Sequence, residues 1–510
     1  MTGDRPAIVP DTLGEAGIAA ADLVGGQWRP IEGAALRSHD PARPDEVVWS
    51  GSPRPEHVQD AVSAAREAQA AWAATPIETR IEHLRRFQEL AKAHAEPLAR
   101  LVGREMGKVL AEARLEASAV AGKVDITLED RVMDRVRGFR IEGPTDAVCR
   151  FRPHGVMAVI GPFNFPAHLP NGHIVPALLL GNTVVFKPSE KTPAVGQLLV
   201  DLLHRAGFPP GVVNLVHGGA DVAAALVAHD DLDGILFTGS WPVGRRIMEA
   251  NLDRPGRLLA LEMGGSNAMV VMPSADFDRA IVEAVRASFA TTGQRCTCTR
   301  RIVVHESIAD RFTATLAKVA STVLVGPCDS ETPVFMGPLV SEASRTAAIE
   351  FQAEIARRGG RVVVPACPLD GPGFFLTPGV VEVDRFTRET DGEVFAPIVQ
   401  IAVARDLDDA IEQANATEFG LASAIFTREA NEFEAFLARS RAGCVNWNAG
   451  TAGASSKLPF GGLGKSGNHR PAGAFSVDYC AMPIASMEAA IDAPTPAMPA
   501  GIGFDPTRHV

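Results

Sequence analysis

VMAVIGPFNFP, residues 156–166, starts as five apolar residues without a polar break and ends in a turn rich in glycine, proline and asparagine. A strand with one wet face alternates apolar and polar side chains, whereas a strand covered on both faces reads as a continuous apolar run. Four similar runs follow: TVVFK (183–187), VVNLV (212–216), ILFTG (235–239) and LLALE (258–262), with helix-length segments between them. That rhythm predicts a doubly wound parallel sheet with helices on both faces. Ligands of such sheets bind beyond the carboxyl ends of the strands. The residues leaving the runs here include GPFNFP, KPSE, TGSWPVG and EMGG. Glycine and proline at one strand end are ordinary turn punctuation, but four such exits along one edge point to a site.

Outward from this core, residues 57–110 read as helices. Val58, Val62, Ala65, Ala68 and Trp72 share one 3.6-period face, and Ile81, Leu84, Phe87, Leu90 and Ala91 share the next. The 510 residues, 46% hydrophobic and 22% charged, have the balance of a soluble globular chain. At about 150 residues per domain, two or three domains are expected. A net charge of -12, without a Lys/Arg tract, argues against nucleic acid or an anionic membrane as partner. The opening MTGDRPAIVPDTLGEAG has neither a basic nor an apolar export region, and Pro176, Gly181 and Asn182 break the most apolar stretch. Both features lead to the expectation of a cytoplasmic protein without a membrane span. Seven scattered cysteines suit a reducing compartment better than a disulfide framework.

Two of those cysteines, Cys296 and Cys298, stand in TTGQRCTCTRR (291–301). Structural zinc needs four ligands, and no second Cys or His pair lies near enough in sequence to complete a tetrahedron. His168 and His173 read as loop or packing residues, so no metal is expected. Packing and nucleophilic chemistry both remain open for the cysteines on this evidence. Arg295, Arg300 and Arg301 are placed to favour a thiolate if their side chains turn toward it. GLGKSG (462–467) matches a dinucleotide pattern and contains GKS, yet it lies outside any strand–helix unit and has Pro459 where a P-loop needs glycine. TGSWPVG (238–244) is the better phosphate candidate, because it leaves an apolar run and opens an amphipathic segment.

Taken in order, GPFNFP, KPSE, FTGSWPVG, LEMGG, GQRC, EVFAPI and PFGG resemble the motif set of the aldehyde dehydrogenase family. The resemblance runs through residues 23–490, and the 34-residue interval from Glu262 to Cys296 fits the family's spacing. Within the family, HLPNGHIVPALLLGN, ALEMGG, GQRCTCTRR, VNWN and SGNHRP most resemble N-succinylglutamate 5-semialdehyde dehydrogenases. The resemblance implies an α/β fold of two doubly wound domains with a small β oligomerisation arm. Its NAD-binding domain would take residues 23–128 and 151–261, its catalytic domain 262–455, and its arm 129–150 with 470–490. Residues 1–22 and 491–510 would be tails, and the assembly a homodimer or homotetramer.

The same resemblance assigns roles. Cys296 would be the nucleophile, Glu262 the general base, and Asn164 an oxyanion donor together with the backbone N–H of Cys296. NAD would lie on Lys187 and Glu190, on Gly239, Ser240, Trp241, Pro242, Val243 and Gly244, and on Glu393 and Phe395. The bulky Trp241-Pro242 pair, and Ala396 where many relatives have glycine, depart from the family's pattern. A semialdehyde with two distant carboxylates needs cationic or amide donors, for which Arg295, Arg470, His469 and Asn448 are candidates. The expected reaction is oxidation of N-succinyl-L-glutamate 5-semialdehyde. Its alternatives are another semialdehyde, or a silent binding protein that keeps the fold.

Overall fold

The computed structural model describes residues 18–502 apart from Pro144. The five apolar runs form the parallel strands Val156–Ile160, Thr183–Lys187, Val213–Leu215, Gly234–Thr238 and Leu258–Glu262. ILFTG slips by one residue, so Gly234 begins the strand and Gly239 is left in the turn. The spatial order is Leu258–Glu262, Gly234–Thr238, Val156–Ile160, Thr183–Lys187, Val213–Leu215, with a hairpin of Ala21–Val24 and Gln27–Pro30 added antiparallel at the edge. From Val156–Ile160 the chain steps outward on one side through two strands, then returns to fill the other side. The switch between Val156–Ile160 and Gly234–Thr238 leaves a crevice at their carboxyl ends, where such sheets bind ligands.

Helix Glu56–Ala74 buries Val58, Val62, Ala65 and Trp72 against this sheet, and Trp72 donates its indole N–H to the Leu178 carbonyl at 3.1 Å. His168 and His173 are on a helix, His168–Leu179, rather than in a loop. The apolar run around them continues through Pro176 and is buried on nearly every face, which hides the periodicity that normally marks a helix.

A second seven-stranded sheet has the order Arg361–Val364, Gly379–Glu382, Ile398–Ala404, Thr299–His305, Asn267–Val271, Ala422–Phe426, Cys444–Trp447. All pairings in it are parallel except the first. Asp146–Pro153 pairs antiparallel with Phe139–Ile141 and Ala481–Glu488 in a separate three-stranded sheet, which exposes Phe139, Ile141 and Met487. The GKS of residues 464–466 is a short 3-10 turn. Its Ser466 carbonyl accepts from Met263 N–H and its hydroxyl donates to the Gly264 carbonyl, joining the end of the first sheet to the C-terminal segment.

Candidate active site

A cavity of about 1350 Å³ opens at the switch crevice and reaches between the two large sheets. Asn164, Glu262 and Cys296 all line it. Cys296 does not leave a strand; it precedes the strand Thr299–His305. The loop carrying it begins with Thr291, Thr292 and Gly293 at φ of 54°, 56° and 69°. Two β-branched residues in the left-handed region are strained, and surrounding contacts must hold them there. Glu112 does so for Thr291, accepting from its N–H at 3.0 Å and from its hydroxyl at 2.9 Å, while the Thr292 hydroxyl donates to the Gly337 carbonyl at 3.0 Å. A side chain at Gly293 would begin 2.1 Å from the Ala396 carbonyl oxygen, so only glycine fits. Asn267 completes the fastening by donating Nδ2 to the carbonyls of Cys296 at 2.7 Å and Cys298 at 2.8 Å.

Across the cavity, the Asn164 amide donates one N–H to the Gln294 carbonyl at 2.9 Å. An amide carries two such donors, so the second is left for a ligand. The Asn164 carbonyl accepts from Lys108 Nζ at 2.7 Å, and Lys108 is paired with Glu116 at 2.5 Å, both side chains being wholly buried. Glu116 also accepts from the backbone N–H of Ala167 and His168, which locks the turn after Asn164. The backbone N–H of Cys296 has no partner among the described residues.

Glu262 ends its strand with Oε2 buried and without a hydrogen bond. Burial pushes its pKa well above the ordinary carboxylate range, offset only in part by the backbone N–H of Ala472. Burial, then Glu393 and Glu262, also raise the Cys296 thiol. The neighbouring arginines do not oppose this. Arg295 pairs with Glu112 at 2.8 Å, Arg300 donates to the Ala396 and Arg295 carbonyls, and Arg301 donates to those of Ser266, Gln413 and Ala414. The charges of Arg300 and Arg295 fall instead on the wholly buried Cys298. Burial and the two carboxylates thus favour the protonated Cys296 thiol, and none of the three arginines is turned to favour a thiolate.

The cofactor candidates Lys187, Glu190, Gly239, Ser240, Trp241, Pro242, Val243, Glu393 and Phe395 line the same cavity, Glu393 near enough to Cys296 to act on its thiol. Gly244 does not line it; it lies within the helix Trp241–Glu249 on its buried face, where a side chain would meet Met263 Sδ at 2.3 Å. Its role is to let that helix approach the sheet, with the helix N-terminus beside the strand exit. Burial brings Lys187 down to about 8, and its Nζ donates to the Pro188 carbonyl at 2.7 Å. Glu393 accepts from Gly265 N–H at 3.0 Å, and Phe395 meets Phe163 edge-on at 5.8 Å. A helix N-terminus, an exposed carboxylate at Glu190 and an aromatic pair suit the phosphates, ribose and ring of a dinucleotide. Pro242 takes the first turn of the helix, and Ala396 is buried with its carbonyl engaged by Arg300, so neither departure removes a cofactor-facing group.

Of the expected substrate ligands only Arg295 lines the cavity, and its charge is already matched by Glu112. His469 and Arg470 are exposed outside the cavity lining. Asn448, at φ 52°, caps a turn through the N–H and carbonyl of Thr427. Short polar side chains tolerate that conformation and bond locally, which accounts for the asparagine without a ligand. Sequence reasoning missed Lys108, Glu112, Glu116, Asn267 and Gln294. One signal was available: Glu116 and Lys123 interrupt the apolar face of Ala113, Ala117, Val120 and Val124 on the helix Leu110–Leu128, and buried charge needs a reason.

The model of the aldehyde dehydrogenase family matches residues 28–482. N-succinylglutamate 5-semialdehyde dehydrogenase 2 of Caulobacter vibrioides is 46% identical over 92% of this chain and 96% of its own length. N-succinylglutamate 5-semialdehyde dehydrogenase of Novosphingobium aromaticivorans is 43% identical over 92% and 99%. Among solved structures, a point mutant of Staphylococcus aureus betaine aldehyde dehydrogenase, in complex with NAD+, superposes with a TM-score of 0.86 at 26% identity, over 92% of this chain and 96% of that one.

Proposed function

The chain belongs to the aldehyde dehydrogenase family, and from that premise we propose that it oxidises N-succinyl-L-glutamate 5-semialdehyde to N-succinyl-L-glutamate with NAD, as a step of arginine catabolism. The observation that carries the chemistry is the convergence of Asn164, Glu262 and Cys296 on one cavity that the candidate dinucleotide residues also line. The names of the relatives support the substrate.

Glu262, its basicity raised by burial, takes the proton from Cys296 Sγ. The sulfur then bonds to the aldehyde carbon, and the carbonyl π pair moves onto oxygen. The free N–H of Asn164 and the backbone N–H of Cys296 receive that oxyanion. NAD, when bound, supplies the hydride acceptor. Loss of hydride from the tetrahedral carbon leaves an acyl thioester on Cys296. Glu262 then releases the thiol proton to solvent and deprotonates a water, which adds to the thioester; the C–S bond breaks, the acid leaves, and the Cys296 thiolate takes a proton back from Glu262. Lys187 and Glu190 would hold the adenosine ribose, residues 239–243 the pyrophosphate, and Glu393 with Phe395 the nicotinamide ribose.

The proposal includes the division into an NAD-binding part (23–128 and 151–261), a catalytic part (262–455) and an arm (129–150 with 470–490). The exposed edge formed by Phe139–Ile141 would pair in a homodimer or homotetramer, and the enzyme would work in the cytoplasm. A progress curve of NADH formation tests the reading. Fast turnover with the succinylated semialdehyde, and a lower kcat/KM with a neutral aldehyde of equal length, is expected. Equal efficiency with both would leave only a general aldehyde dehydrogenase.

A further inference from the structure

Three cations are gathered about Phe165 and His168, just after Asn164, and two of them have acids: Lys108 has Glu116, and Arg295 has Glu112. Lys123 has none among the described residues. It is 2% exposed on the helix Leu110–Leu128, yet it lines the same cavity as Cys296 and Glu262. Its Nζ donates to the Gly473 carbonyl at 2.8 Å and to Ser476 Oγ at 2.9 Å. An ammonium has three donors, so one is unused. His168 lines the cavity too, and its Nδ1 is buried without a partner. A buried charge without an opposite charge is costly, and an unfilled donor beside an orphaned imidazole nitrogen marks a place where a ligand supplies what the protein withholds.

We propose that Lys123, with His168 beside it, is the carboxylate-binding point of the substrate pocket. The assignment rests on the proposed dianionic semialdehyde and deepens it, and it moves the anion site away from Arg470, His469 and Asn448. Lys123 forms no bond in the reaction. It fixes the acid end of the substrate while the aldehyde end reaches Cys296.

The test compares kcat/KM for the succinylated semialdehyde and for a neutral aldehyde of equal length in the wild type, Lys123→Met and Lys123→Arg. Competitive inhibition by glutarate, with its neutral diamide as control, is measured in the same enzymes. A charge-assisted hydrogen bond predicts a fall of about 10- to 100-fold in the charged-to-neutral ratio for Lys123→Met, seated in KM, together with weaker glutarate inhibition. Lys123→Arg should recover part of both. If Lys123 only tied the helix to residues 473–476, both substrates would suffer alike, the ratio would hold, and the proposal would fall. A wild type that favours the succinylated substrate beside a Lys123→Met variant with the same ratio would overturn the Lys123 assignment and leave the proposed function standing. Glutarate inhibition that depends on Lys123, in an enzyme indifferent to the succinylated semialdehyde, would overturn the substrate and leave the anion site.

Discussion

On one wall of the cavity two cations have acids of their own, with Lys123 the exception, and on the other the catalytic carboxyl and thiol have no ionic partner among the described residues. On the helical wall Lys108 meets Glu116 and Arg295 meets Glu112, with backbone N–H groups taking further carboxylate lone pairs. On the strand wall Glu262 Oε2 has no hydrogen bond, and the Cys296 thiol faces two carboxylates. Burial acts on both walls; partners decide its effect. A matched buried pair fixes geometry, whereas an unmatched group is held away from its ordinary pKa and is ready to exchange a proton.

The largest break should come from the strand wall. Cys296→Ala is expected to lower kcat at least about ten-thousand-fold, the scale at which a lost nucleophile leaves only positioning. Cys298→Ala, in the same loop but packed, should keep most of the activity. Comparable losses in steady-state NADH formation would mean that the two cysteines are not divided as described.

Glu262→Gln should cost about 100- to 10,000-fold in kcat, with deacylation slowed more than hydride transfer. The same carboxylate sets the pH dependence. A base works deprotonated and burial raises its pKa, so wild-type kcat should rise with pH through a limb above the usual carboxylate range and be lost as pH falls. That limb should disappear from the pH profile of Glu262→Gln.

Breaking the matched wall should act first on the fold. Glu116→Gln strands the Lys108 ammonium, and removing one partner of a buried pair costs about 3 kcal/mol or more. Thermal unfolding should show a lower Tm, and kcat should fall with it because Lys108 holds the Asn164 carbonyl. A variant with wild-type Tm would show that the pair is dispensable.

The smallest effect is expected at the exposed Glu190, whose carboxylate would repel the 2′-phosphate of NADP. Glu190→Gln should narrow the NAD-over-NADP ratio of kcat/KM by about 3- to 10-fold, since solvent screens the charge. An unchanged ratio would show that Glu190 does not face the ribose.

The parallel strands were legible because burial on both faces leaves an unbroken apolar run, and the edge of exits marked the cavity. Side-chain direction was not legible. Arg300 and Arg301 are adjacent in sequence and so leave their strand on opposite sides, one toward Ala396 and the other toward Ser266; neither supports Cys296. SGNHRP and VNWN resemble one subgroup of the family, but resemblance does not say which residues reach a cavity, and Arg470 and Asn448 do not. The Lys108 contact to Asn164 spans 56 positions and leaves no periodic trace in the sequence. Buried charge on an apolar helix face was the one visible hint, at Glu116 and Lys123.

The most direct test of the unmatched wall is a rapid-quench intact-mass measurement on Glu262→Gln mixed with NAD and the succinylated semialdehyde. The expected result is one acyl group per chain, mapped by peptide digestion to Cys296, accumulating with a single burst of NADH. An acyl group on another residue, or a burst of NADH with no adduct at all, would contradict the division of labour between Cys296 and Glu262.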